Sequence, residues 1–231
     1  MTEQKHIAMA LTFELSKVET PVIRERMVSH LLNIDEGLGE TVAEKLGIRN
    51  LPQKADAAVK PRDDLPASDA LSIVKNGPDS FKGRKVGVLV SDGCDAGLVK
   101  KLEAALKKEG AMMEIVAPKV GGVEASDGSL IAAKQMIDGG PSVLYDAVAL
   151  MLSPEGAEQL SKEAAARDFV ADAFAHCKFI AHSEAAQPLL DKAGVEADEG
   201  VIPLGSANDV RTFLESCRKL RLWAREAKVK L

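Results

Sequence analysis

The chain has 231 residues, enough for one large or two modest domains, and a formal charge of −5. It is 46% hydrophobic but only 3% aromatic, so an ample core must be built from Ala, Val, Leu and Ile. The acid excess excludes bulk nucleic-acid binding, which needs a basic footprint, and no run approaches the ~20 apolar residues of a membrane span.

Residues 1–50 read as amphipathic helices. Ile7, Ala10, Leu11 and Leu15 recur at the helical period. A second helix is predicted from Thr20-Pro21, with Thr20 as cap and Pro21 at the first helical position, carrying Val22, Ile23, Met27, Val28, Leu31 and Leu32. A third runs from Asp35 through Leu38, Val42 and Leu46 to a stop at Gly47. Fifty such residues bury little surface alone and call for a partner surface. Residues 51–80 hold four prolines, many charges and little periodicity, which marks a linker. Within it, "SDALSIV" is expected to touch neighbouring structure briefly.

From Phe81 the pattern alternates. "RKVGVLVS" is a buried strand ending at "DGCD"; "AGLVKKLEAALKKEG" is a helix stopped by Gly110; "MMEIVAP" is a second strand. "VEASDGSLI" predicts a hairpin turning at Asp127-Gly128. "YDAVALML" is a third strand and "EGAEQLSKEAAARDFVADAFAHC" one long helix. "KFIAHS", helix "EAAQPLLDKAG", strand "GVIPL" and helix "NDVRTFLESCRKLRLWARE" complete residues 81–231. Strands alternating with helices predict an α/β domain: a flavodoxin-like three-layer sandwich on a parallel sheet.

Few residues in this pattern carry chemistry. The turn "SDGCDAG" lacks the glycine spacing of a phosphate loop, and Asp92 and Asp95 would repel phosphate. Cys94 lies near a helix start, where a thiol pKa tends to fall; it is a candidate reactive thiol, or a small apolar turn residue. Ser183 lies at a strand-to-helix turn, where nucleophiles are presented, but no glycines flank it. The adjacent His182 points to the opposite strand face and is poorly placed as its base. Ser183 therefore reads as an N-cap, and His182 as a packed or capping residue. His176 suits a helix C-terminus, and Cys177 borders a buried strand. The three cysteines form no CxxC pair, and the four histidines show no metal spacing. No signal-peptide pattern is visible in "MTEQKHIAMALTFELSKV", so a cytoplasmic, reducing setting is expected.

The stretches "FKGRKVGVLVSDG", "VAPKVGGVEASDGS", "IDGGPSVLYDAVAL", "ARDFVADAFAHCKFIAHSEAAQPLL" and "KLRLWAREAKVKL" resemble the C-terminal domain of large-subunit haem catalases. Residues 3–48 resemble the helical end of the catalase core in the same family. The resemblance covers nearly the whole chain and implies a C-terminal piece: last core helices, linker, and a terminal domain similar to the DJ-1/PfpI and class I glutamine amidotransferase group. DJ-1 relatives carry an elbow cysteine and an assisting glutamate; the matching positions here are Ser183, or His182 if shifted by one, and a position near Leu98. The resemblance thus implies a vacated elbow and no catalytic residue in this chain. It places haem in the parent enzyme, which decomposes hydrogen peroxide, and no cofactor or metal here, where the single tyrosine, Tyr145, reads as structural at the start of a strand. Implied partners are the catalase core and neighbouring subunits; the apolar faces of the first helices, which seek partners, lead to the further expectation of self-association and chaperone-like holding of unfolded clients. Two other readings stand beside it: a DJ-1-like hydrolase, glyoxalase or redox sensor using Cys94 or Cys177, and a small-ligand module using the cleft at the strand ends.

Overall fold

A computed structural model describes residues 2–62 and 64–229. The chain divides into two compact units, Met1–Asn76 and Gly77–Leu231.

The first unit holds helices α1 (Thr2–Ser16), α2 (Pro21–Ile34) and α3 (Glu36–Lys45). Pro21 opens α2 as expected, but Thr20 makes no side-chain cap bond. Arg24 does the joining instead: its Nε donates to Val18 O (2.6 Å) and its Nη2 to Ser16 O (3.0 Å), taking carbonyls that the end of α1 leaves open. Asp35 ends α2 and caps α3, its carboxylate accepting Leu38 N–H at 2.8 Å. A Cβ on Gly39 would lie 2.6 Å from Leu32 Cδ2, so glycine is what lets α3 approach α2. Ala8, Val28, Leu31, Leu32, Val42 and Ala43 form the small core. The segment read as a linker is pinned to these helices at two places. Near its start, Ala55 N–H donates to Ser29 O (3.1 Å) and Asn33 Nδ2 to Ala55 O (2.7 Å). Near its end, the Glu3 carboxylate accepts Ser72 Oγ and the N–H groups of Ile73 and Val74.

In the second unit one sheet runs in the order β5-β2-β1-β6-β7-β8, every pairing parallel. Its strands are β1 (Lys85–Val90), β2 (Met112–Ala117), β5 (Gln135–Met136), β6 (Ala147–Met151), β7 (Ile180–His182) and β8 (Val201–Pro203). The predicted hairpin is present as β3 (Val123–Glu124) and β4 (Leu130–Ile131), antiparallel. The period of two along each strand divides two cores. Val86, Val88, Val90, Ala149 and Met151 face α4 (Ala96–Glu109) and α8 (Ala207–Cys217). Leu89, Val148 and Leu150 face α5 (Pro154–Leu160), α6 (Ala164–Ala175) and α7 (Gln187–Lys192). The result is the flavodoxin-like three-layer arrangement.

Several predicted elements differ. The single long helix is two, α5 and α6. At about 100° per residue, one straight helix would point Ala157 and Leu160 away from the side carrying Ala166, Phe169 and Ala173. All five bury in the same core, so the chain breaks at Ser161–Glu163 to bring both stripes onto the sheet. The helix after Ser183 begins as a 3₁₀ turn, Glu184–Ala186, because the proline in the first turn of α7 fixes the start of the α-helix there. The last predicted helix ends at Cys217; Leu220 takes a left-handed φ of 62°, and a 3₁₀ turn, Trp223–Ala227, follows. That reversal lets Leu222 N–H reach Cys177 O (2.8 Å) and buries Arg225. Tyr145 precedes β6 rather than opening it, ending the short turn Ser142–Leu144. Strand β5 is two residues long and left no alternation to read.

Candidate active site

In an open parallel sheet a ligand crevice forms at the carboxyl ends where strand order reverses. Here the chain runs outward from β1 through β2 to β5, then returns to β1's other side as β6. The crevice position is therefore between the ends of β1 and β6, where Ser91 follows one strand and Ser153 caps the helix after the other. Sequence reasoning singled out Ser183, one strand further over. The signal for Ser153 was present in "LSPEG": a capping serine, then proline at the first helical position.

Ser153 and Ser91 fill this place. Ser91 is 2% exposed and Ser153 7%. Ser153 Oγ donates to Asp92 O (2.7 Å), accepts Gly156 N–H (3.1 Å), and lies 3.3 Å from Ser91 Oγ. Ser91 Oγ accepts Ser153 N–H at 2.9 Å. A Cβ on Gly156 would fall 2.0 Å from Ser91 Oγ, so α5 presses its backbone onto the end of β1. A nucleophilic serine needs a base that takes its proton. This hydroxyl proton points at a backbone carbonyl, and the lone-pair side is occupied by an amide.

Ser183 is not the side-chain cap that the sequence suggests. Its Oγ donates to Leu152 O (3.0 Å) and accepts Leu152 N–H (3.1 Å), extending the β6–β7 pairing by one rung. The strand edge offers both a donor and an acceptor, and so outcompetes the amides of a short 3₁₀ turn. His182 turns Nδ1 to Ser183 O (3.1 Å) and is buried; burial lowers its pKa and the hydrogen bond opposes this, leaving a neutral imidazole favoured. His176 caps α6, its N–H donating to Asp172 O (2.9 Å).

The candidate thiols are buried as well. Asp95, not Cys94, caps α4, accepting Leu98 N–H at 2.9 Å. Burial pushes the Cys94 thiol pKa up, and Asp95 and Asp92 add to it against the backbone N–H groups of Ser91 and Cys94, so the fall that a helix start favours is outweighed. Cys177 adopts φ 56° and is also pushed up by burial, although Arg225 and Arg221 pull the other way. Leu98, near the position matched to the assisting glutamate, is buried in the α4 stripe.

Tyr145 does not fit a haem tyrosinate. Its hydroxyl donates to Glu114 Oε1 (3.0 Å), and its ring lies so close that a Cβ on Gly87 would be 2.2 Å from it. Burial, then the Glu114 carboxylate, push its pKa up and disfavour the phenolate. Among the described residues no group of three or more His, Cys, Asp or Glu could hold a metal ion. No described helix is long and apolar enough to cross a membrane.

Residues 82–227 match the model of the C-terminal domain found in long catalases, and residues 1–46 that of the catalase-related immune-responsive family. The chain is 60% identical to Catalase C of Rhizobium meliloti over 99% of its own length and 33% of the relative. It is 34% identical to Catalase HPII of Pseudomonas aeruginosa over 99% of its length and 32% of that protein, and 36% identical to Catalase HPII of Mycobacterium avium over 84% and 27%. The chain spans about a third of the length of these relatives. With the family model covering the entire parallel sheet, the chain belongs to the large-subunit catalases, of which it represents the C-terminal region.

Proposed function

We propose that this chain is the non-haem, non-catalytic part of a large-subunit catalase that decomposes hydrogen peroxide, and that it supports the stability and assembly of that enzyme. The observation that carries the reading is the crevice between β1 and β6, filled by Ser91, Ser153 and the backbone at Gly156. The haem lies outside this chain; Tyr145 is held by Glu114 in a protonated, packed state. The partners are the catalase core, neighbouring subunits and a second copy of the chain. A cysteine enzyme is disfavoured by the burial and raised pKa of Cys94 and Cys177, and a ligand module by the filled strand ends. The test is oxygen evolution from peroxide by the purified chain, with and without added haem, together with ester and glyoxal turnover. No activity above buffer is expected. Oxygen release tied to a haem absorption band, or turnover lost in Ser153→Ala or Cys94→Ala, would overturn the proposal.

A second reading, holding of unfolding clients, is favoured by one observation. The helical unit exposes large apolar side chains, with Phe13 63% and Ile34 74% exposed beside Ile7, Val22 and Ile23. Apolar surface of this kind seeks partners. Light scattering from a heat-denatured client should be suppressed by the chain more than by albumin, and less by the chain lacking residues 1–50. Suppression no better than albumin would end this reading; equal protection by the truncated chain would move it off the helices.

A further inference from the structure

At the amino end of β7 the chain buries an amine. Lys178 is 3% exposed, and its Nζ donates to one carbonyl, Ser142 O, at 2.7 Å. The hydroxyl of the same Ser142 is buried with no hydrogen-bond partner. An ammonium carries three donors, and burying charge is far more costly than burying a neutral amine. The charged groups that face it are Arg221 of the C-terminal segment, Asp146 ahead of β6, and Asp172 on α6. Arg221 carries the same sign and repels it, and Asp146, the carboxylate ahead of β6, is engaged elsewhere. Arg221 Nη1 donates to the carbonyls of Asp146 (3.2 Å) and Leu220 (2.8 Å). Asp146 Oδ2 accepts Lys85 N–H (3.0 Å) while Oδ1 faces Arg84 at 3.5 Å. Burial, then the like charge of Arg221, hold the Lys178 pKa down at about 8, with Asp146 and Asp172 opposing.

The segment that brings Arg221 is seated on the backbone that carries this amine. Leu222 N–H donates to Cys177 O (2.8 Å), and Arg225 Nη1 to the carbonyl of Lys178 itself (2.6 Å). The same segment sets Arg225, paired with Asp198, and Glu226 near Cys177. The three thiols have raised pKa values and stay protonated near pH 8, while burial keeps His182 neutral there.

We propose that Lys178 makes the seating of residues 218–229 on the domain pH-dependent, loss of the amine's proton tightening the segment and gain of it loosening it. Protonation sets the Lys178 ammonium against the like charge of Arg221, with one hydrogen bond, to Ser142 O, and no ion pair to hold it, while Asp146 and Asp172 offset the repulsion only in part. Deprotonation removes the repulsion and leaves the Ser142 hydrogen bond. The folded pKa lies below the unfolded value, so the folded domain binds fewer protons above pH 8 and gains stability as pH rises.

Trp223, the only tryptophan, lies in this segment and reports on it. The experiment is acrylamide quenching of Trp223 in the full chain between about pH 6.5 and 9.5, spanning the lowered lysine pKa. Quenching should fall as pH rises, with a midpoint near the Lys178 value. Arg221→Gln, which removes the like charge, should move the midpoint upward, and Lys178→Met should abolish the transition. A wild-type chain with no transition would overturn the proposal, as would a transition that survives in Lys178→Met. Should Lys178→Met fail to fold, the Arg221→Gln midpoint decides: an unmoved midpoint overturns it.

Discussion

In the second unit both faces of a parallel sheet are covered, and Val88, Leu89, Ala149 and Leu150 reach zero exposure. In the first unit three helices enclose a core of six buried side chains and leave Ile7, Phe13, Val22, Ile23 and Ile34 in the open. The composition is similarly aliphatic in each; what differs is the number of layers available to cover it. A sheet with helices on two sides covers both of its faces, whereas three helices of ten to fifteen residues bury only a small core between them. The second unit buries its apolar residues on both sides of the sheet. The first leaves large apolar side chains exposed.

Substitutions can break this contrast. The largest effect is expected from Asp198→Ala. Arg225 is fully buried, and Asp198 holds it with two bonds of 2.7 and 2.8 Å. Stripping one partner from a buried ion pair costs about 3–5 kcal/mol, so the urea midpoint of the sheet unit should drop while the helical signal of the first unit stays. The pair also sets an acid limit. Burial raises the Asp198 pKa, but the bonds from Arg225 and Gly200 N–H and the charge of Arg225 outweigh it, leaving the pKa lowered. Its contribution is thus complete above the unfolded carboxyl value and lost as pH falls through the lower folded one. Acid titrations of wild type and Asp198→Ala should converge at low pH; a constant gap would contradict the assignment.

Next is Gly156→Ala, whose methyl would meet Ser91. Overpacking of this kind costs about 1–3 kcal/mol, and Ser91→Gly in the same chain should recover part of it. A neutral Gly156→Ala would mean that the crevice has room. A smaller effect, about 1 kcal/mol for loss of an N-cap, is expected from Asp35→Ala. It should appear in the helical unit alone, read by hydrogen exchange of α3 amides; faster exchange in the sheet strands would show that the units do not unfold separately. The smallest concerns the thiols: native alkylation of Cys94, Cys177 and Cys217 should all be slow, and become fast together in urea.

Much of the fold was legible because the strands announce themselves as short apolar runs and the helices by their period. The apolar run from Val86 to Val90 and the stripe of Leu98, Leu102 and Leu106 need no tertiary knowledge. The α5–α6 break was hidden because Ser161 to Glu163 contain no helix breaker; only the need to bury Leu160 and Phe169 on one face imposes it. The place of Ser153 beside β1 was hidden for a related reason. Ser183 and Ser153 both follow strands, and which of them stands beside β1 depends on strand order, a property of the whole sheet. The closure at Gly156 depends on a backbone approach that no local pattern encodes. Cys94 was judged by its helix start, yet burial from the rest of the domain governs its thiol.

The central claim is that the strand ends are filled and chemically idle. It is tested most directly by exposing the native chain to a fluorophosphonate and to iodoacetamide at neutral pH and reading adducts by intact-protein mass and peptide mapping. The account predicts no adduct on Ser153, Ser183 or Ser91 and slow, unselective labelling of the cysteines. Rapid, stoichiometric modification of Ser153, Ser183, Cys94 or Cys177 in the folded chain would contradict it.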